Sequence, residues 1–145
     1  MTIQDRYLFK AKRVDNGEWV MGYYLESGEC SFIYVEPEDG TRTIISTHIE
    51  VIPSTLCACT GLRAAKSYRG ESDMDLLVFE NDIVRDDYKP NDVFVGKVIW
   101  SKRNLTWDVI DTDVVRHIPL IEFTAEDNTT CKTLEIIGCV HDRSN

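Results

Sequence analysis

Two short spacings in this 145-residue chain could hold a metal ion. Cys57-Ala58-Cys59 and Cys139-Val140-His141 each put two sulfur or nitrogen donors one residue apart, which on a strand is the same face. Tetrahedral zinc takes four such donors, so the pairs would make a site if their strands were neighbours. Structural zinc sites more often leave two or more residues between cysteines so that a turn wraps the ion. The tighter spacing here suits small buried thiols. A cysteine with His48, His117 or His141 can be drawn as a nucleophile and its base, but the base must lie within hydrogen-bond reach and a third group must orient it. No local signature marks any of the five cysteines in this way. Phosphate-loop, dinucleotide-binding glycine and His-Glu-x-x-His patterns are missing from the sequence. The expectation is therefore no catalytic residue, no metal and no cofactor, with a zinc protein or enzyme as an alternative.

The carboxylates are the next chemical feature. Glu71, Asp73, Asp75, Glu80, Asp82, Asp86 and Asp87 stand against the single cation Arg85 in that stretch. They lack the one-three-five spacing and closing bidentate Glu of a calcium loop, so solvated charge is the plainer reading. Asp73, Asp75, Asp86 and Asp87 are expected to form an acidic surface that meets a protein partner with a basic surface. The whole chain carries a formal charge of −9, which opposes nonspecific binding to a phosphate backbone. Trp19, Tyr23, Tyr24, Phe32 and Tyr34 would suit a stacking platform only in a positive groove, and Lys97, Lys102 and Arg103 make a small patch. A nucleic-acid-binding barrel using that patch is the other alternative to a protein-interaction module, and packing within sheets is the expected role of the aromatics.

The elements that must position these groups are strands. Hydrophobic residues at 43% and charged residues at 28% are the balance of a folded domain, and no apolar run approaches the roughly 20 residues that cross a bilayer. Residues 1–13 lack the apolar block of a secretory leader, and an odd number of cysteines fits reduced thiols, so a cytoplasmic location without disulfides is expected. Tyr7 to Arg13 and Trp19 to Leu25 read as a hairpin around Asp15-Asn16-Gly17, followed by a turn at Ser27-Gly28-Glu29 and a strand from Ser31 to Val35. Residues 36–40 read as a loop and 42–52 as a strand closed by Pro53. The segment 63–75 is polar and without a 3.6-residue period, and reads as an exposed loop. Leu76 to Phe79, Ile83 onward, Val93 to Trp100, Trp107 to Ile110, Val114 to Phe123 with an interruption at Pro119, and Thr133 to Val140 read as short strands, with loops at 88–92 and 124–130. Gly61, Gly96 and Gly138 read as bulges or close strand approaches.

Thr60-Gly61-Leu62, then Val78-Phe79-Glu80-Asn81-Asp82-Ile83-Val84, then Leu134-Glu135-Ile136-Ile137-Gly138 form a broken string. With Phe9 to Tyr23 and Val51 to Leu56 upstream, the chain resembles the YopX family of bacteriophage and prophage proteins over nearly its whole length. The resemblance implies a phage or prophage origin and no particular activity. It marks Thr60, Gly61, Leu62, Phe79, Asp82, Ile83, Val84 and Gly138 as a structural motif, in which Leu62, Phe79 and Ile83 are expected to be buried. Relatives carry Gly where Asn81 stands, and Asn is the residue that best replaces Gly in a left-handed turn. Short strands joined by tight polar loops look like a small SH3-like barrel. The expected architecture is mainly β: a single domain with an N-terminal β lobe over 1–53 and an SH3-like barrel portion over 54–145.

Overall fold

The computed structural model describes residues 7–35, 48–87, 93–111, 116–124 and 130–143, and these are mainly β. The chain clusters into two compact units with their boundary after Cys59.

In the first unit Gly17, at φ 71°, turns β1 (Leu8–Lys12) into β2 (Trp19–Ser27), and Gly28, at φ 63°, turns β2 into β3 (Cys30–Tyr34). These are the two turns expected from Asp15-Asn16-Gly17 and Ser27-Gly28-Glu29. β4 (His48–Val51) pairs antiparallel with β3, and the start of β5 (Cys57–Ser67) pairs with β1 through Phe9↔Ala58 and Lys10↔Cys57. Alternation then puts Ala11, Ile33 and Val51 in a buried cluster, packed by Phe9, Val20, Tyr24 and Leu56. Pro53 opens a single 3-10 turn, Pro53–Thr55, and the Thr55 hydroxyl accepts from the Lys12 amide at 2.8 Å.

The second unit continues β5 and adds α1 (Asp73–Leu76), β6 (Leu77–Phe79), β7 (Asp82–Asp86), β8 (Phe94–Ser101), β9 (Thr106–Asp111), β10 (Arg116–Pro119) and β11 (Thr130–Cys139). The strands run β10-β9-β8-β7-β11-β5, with β6 also on β5. The β11–β5 ladder is parallel, while the neighbours from β10 to β11 pair antiparallel. Among the described residues this sheet is open. Period-two alternation sends Val84, Val98, Val109, Leu134 and Ile136 to one face, where Leu120 and Phe94 join them in the core. The expected interruption at Pro119 ends β10 there, because proline cannot donate to a ladder, and a 3-10 turn over Leu120–Phe123 brings Leu120 into that core.

The segment 63–75 is the main departure from the sequence reading. It is not an exposed loop: β5 extends to Ser67, and Arg63-Ala64 and Lys66-Ser67 hold parallel register with β11. Arg-Ala-Ala-Lys has little intrinsic strand preference, so the ladder with β11 overrides propensity. Beyond Gly70, Ser72 caps α1 with a capping box to Asp75. The expected loops at 36–40 and 88–92, most of the loop at 124–130 and the first half of the expected strand over 42–52 lie outside the described residues. No helix among the described residues is long and apolar enough to cross a membrane.

Gly96 lies in β8 opposite Asp111 of β9, with no room for a side chain between the strands. A Cβ there would stand 2.5 Å from the Ile110 carbonyl oxygen and 2.7 Å from Val109 Cγ1. Gly96→Ala is therefore expected to destabilise by about 1–3 kcal/mol through overpacking, measured by urea denaturation. An unchanged unfolding midpoint would show that this approach is not tight.

Candidate functional site

Two of the motif residues, Phe79 and Asp82, meet at one buried guanidinium. Arg69 lies beyond the end of β5, and its Nη1 reaches Asp82 Oδ1 at 3.2 Å, with the Arg69 side chain 8% exposed and the Asp82 side chain 0%. Arg69 Nη2 donates to the Leu77 and Asp75 carbonyls at 2.6 and 3.1 Å, and its plane lies over the Phe79 ring. The other Asp82 oxygen accepts the Phe79 amide at 2.8 Å. Between these two residues Asn81 takes φ 69°, the left-handed geometry expected from its place in the motif. Thr60 secures the opposite end by donating its hydroxyl to the Val78 carbonyl at 2.8 Å, next to Gly61 at φ 84°. Gly138 pairs with Ile83 across a register shift in β11.

Two of the three residues expected to be buried, Leu62 and Ile83, differ from expectation. Phe79 and Val84 are fully buried, whereas Leu62 and Ile83 are half-buried. Period two puts neighbours on opposite faces, and it is Val84 that faces the core. Nothing in the sequence reading singled out Arg69. The available signal was its position: a cation next to Gly70, immediately before a run of carboxylates.

Those carboxylates do not form one uniform surface. Asp82 is buried in the ion pair, Asp75 takes part in the α1 capping box, and Asp86 accepts the Thr133 hydroxyl at 3.1 Å. Glu71, Asp73 and Asp87 remain exposed. Near the end of β11, Asp142 accepts both the Cys139 amide and the Tyr68 hydroxyl, at 2.9 and 2.8 Å. Partial burial, and then that hydrogen bond, push the Tyr68 phenol pKa well above its ordinary value.

The groups drawn together for metal or nucleophile chemistry are placed as follows. Cys57 and Cys59 are buried in the first unit and Cys139 in the second, and the Cys57 thiol donates to the Thr55 carbonyl. His48 meets Tyr34 in a tilted ring contact with centroids 5.4 Å apart, and His117 lies 3.9 Å from the buried Asp108. Among the described residues no group of three or more His, Cys, Asp and Glu is placed to hold a metal ion. Of the aromatics, Trp19 lies under the Lys10 ammonium at 4.6 Å, and Tyr24 packs on Phe9 at 5.6 Å. Lys10 is fully buried, which its charge alone would not have suggested.

The most distinctive exposed feature is the tip of the β8–β9 hairpin. The register Trp100↔Trp107 and Ser101↔Thr106 leaves Lys102, Arg103, Asn104 and Leu105 as its loop. Trp100 and Trp107 meet edge to face at 5.2 Å, and Trp107 also packs against the core, so the pair anchors the tip. Trp100 stays 41% exposed and Leu105 71% exposed. Leu105 takes φ 55°, a left-handed conformation uncommon for a residue with a bulky side chain. Lys102 and Arg103 lie beside it. Lys97 sits four strand residues before Ser101, roughly 13 Å away at strand spacing, so the three cations do not form one patch.

No family model matches the chain, and no curated protein or solved structure matches it.

Removing Asp82 would strand the buried Arg69 charge. Asp82→Ala is expected to destabilise by about 3–5 kcal/mol, and Ile83→Ala by clearly less, both read from urea denaturation. Equal losses would mean that the ion pair contributes little. The five thiols give a second measurement. Cys30 alone is exposed, and the charge of Glu50, followed by its hydrogen bond, raises the Cys30 pKa. Under native conditions only Cys30 should react with a thiol reagent, slowly at neutral pH, and Cys57, Cys59, Cys131 and Cys139 should open only on denaturation. One zinc per chain in elemental analysis, lost in Cys57→Ser, would contradict this.

Proposed function

We propose that this chain is a non-enzymatic accessory protein of a bacteriophage or prophage, a member of the YopX family, that works in the bacterial cytoplasm by binding another protein. The observation that carries the reading is the hairpin tip. Interface hot spots favour Trp and Arg in a packed centre, and Trp100 and Arg103 supply that chemistry on an anchored hairpin, with the exposed Leu105 adding apolar surface beside them. Holding Leu105 left-handed costs conformational energy, and such strain concentrates at functional positions. The net charge of −9 favours approach to a partner whose surface is basic around an apolar socket, with Asp73 and Asp87 as the exposed carboxylates that add to this field.

For the second unit we keep the small-barrel reading as a proposal. Its support is the meander β7–β10, followed by the 3-10 turn Leu120–Phe123 and the return strand β11.

The test is affinity capture from infected host cells with quantitative mass spectrometry, comparing the native chain with Trp100→Ala and Leu105→Asp. Leu105→Asp changes a side chain that is 71% exposed and leaves the Trp100–Trp107 anchor in place, so it separates lost binding from a loosened tip in Trp100→Ala. Loss of the same captured protein in both, by about tenfold or more, is expected. Asp73→Asn with Asp87→Asn should weaken capture mainly at low salt. Capture that ignores all four changes would overturn the reading. Strong, salt-sensitive retention of DNA or RNA would favour a nucleic-acid module in its place.

A further inference from the structure

Over Leu134 to Ile136 β11 holds antiparallel register with β7 on one side, but between Cys131 and Glu135 it loses register with β5 on the other. Cys131 pairs with Ala64 and the next pair is Glu135 with Lys66, so residues 132–134 face Ala65 alone. The surplus residues bow β11 away from β5, as a bulge must. They leave a cavity of about 220 Å³ lined by side chains from β5, β7 and β11.

Its chemistry is unusual for this chain. Lys66, Arg85 and Lys132 line the cavity together with Thr133, Asp87 and Glu135. Lys66, Glu135 and Arg85 lie in one cross-strand row, yet among the described residues none of the three cations makes a side-chain hydrogen bond or an ion pair within 4.0 Å. The protein has 25 carboxylates for 16 Lys and Arg, and elsewhere Arg13, Arg69 and Arg116 each hold a carboxylate. Three cations left without one around a single cavity are therefore informative. Arg85 is half-buried, so part of its hydration is lost without a replacement acceptor.

We propose that this cavity binds a small-molecule oxyanion, a phosphate or carboxylate group. The Arg85 guanidinium would grip two of its oxygens and Lys66 and Lys132 would close on the rest, the fork geometry that arginine offers an oxyanion. Asp87 and Glu135 favour a ligand that also carries a hydrogen-bond donor, and they exclude larger polyanions by repulsion. The site is separate from the hairpin tip and does not rest on the protein-interaction reading.

The probe is inorganic phosphate, titrated into the full isotope-labelled chain at constant ionic strength and followed by amide NMR, with sodium chloride as the control. Saturable shifts centred on Lys66, Arg85 and residues 133–135 are expected. Arg85→Gln should weaken binding by about tenfold or more, since a charge-assisted bidentate contact is lost. Lys66→Gln, at an exposed position, should also weaken it with an unchanged thermal midpoint, and Arg103→Gln at the hairpin tip should not. Shifts that fail to saturate, that match those from chloride, or that survive both Arg85→Gln and Lys66→Gln would overturn the proposal.

Discussion

A guanidinium and a carboxylate taken almost wholly out of water hold the centre of the second unit together. Arg69 and Asp82 face each other at 3.2 Å, and neither would be stable there alone, because an unpaired buried charge loses its hydration with nothing in return. Asp82 Oδ2 and Arg69 Nη2 are spent on backbone groups, the Phe79 amide and the Leu77 and Asp75 carbonyls, while the buried Arg69 Nε has no hydrogen-bond partner among the described residues. The pair thereby fixes the chain from the end of β5, through α1 and β6, to the start of β7. A buried ion pair adds little net stability over an apolar substitute, but it tolerates few alternative arrangements. That suits a segment whose job is to set where β7 begins.

The start of β7 then decides what each face of the sheet presents. With Asp82 held in the pair, Val84 faces the core, while Ile83 and Arg85 face the other side. One residue of slippage would exchange them. Arg85 reaches the β5–β11 cavity because of this register, and the same ladder, carried through β8 and β9, aligns Trp100 with Trp107 at the hairpin tip. The buried pair, the cavity and the exposed tip are linked through strand register.

What the sequence determined by itself was local. Its composition and period-two alternation specified a β-rich chain, Gly17 and Gly28 marked turns that any L side chain would strain, and Asn81 supplied the left-handed residue between β6 and β7. The motif residues were visible as a string because a turn between short strands needs particular residue types at adjacent positions. Tertiary structure alone decided the rest. Arg69 is separated from Asp82 by a segment with no regular period, so their meeting depends on how β5 lies on β11. The extension of β5 over Arg63 to Ser67 likewise comes from a parallel partner that follows more than sixty residues later. Whether Asp75, Asp82 and Asp86 were surface charges or internal partners was a question of which donors the fold brought to them. Pair formation across such distances is a property of ladder register and desolvation, and neither is written in the spacing of residues along the chain.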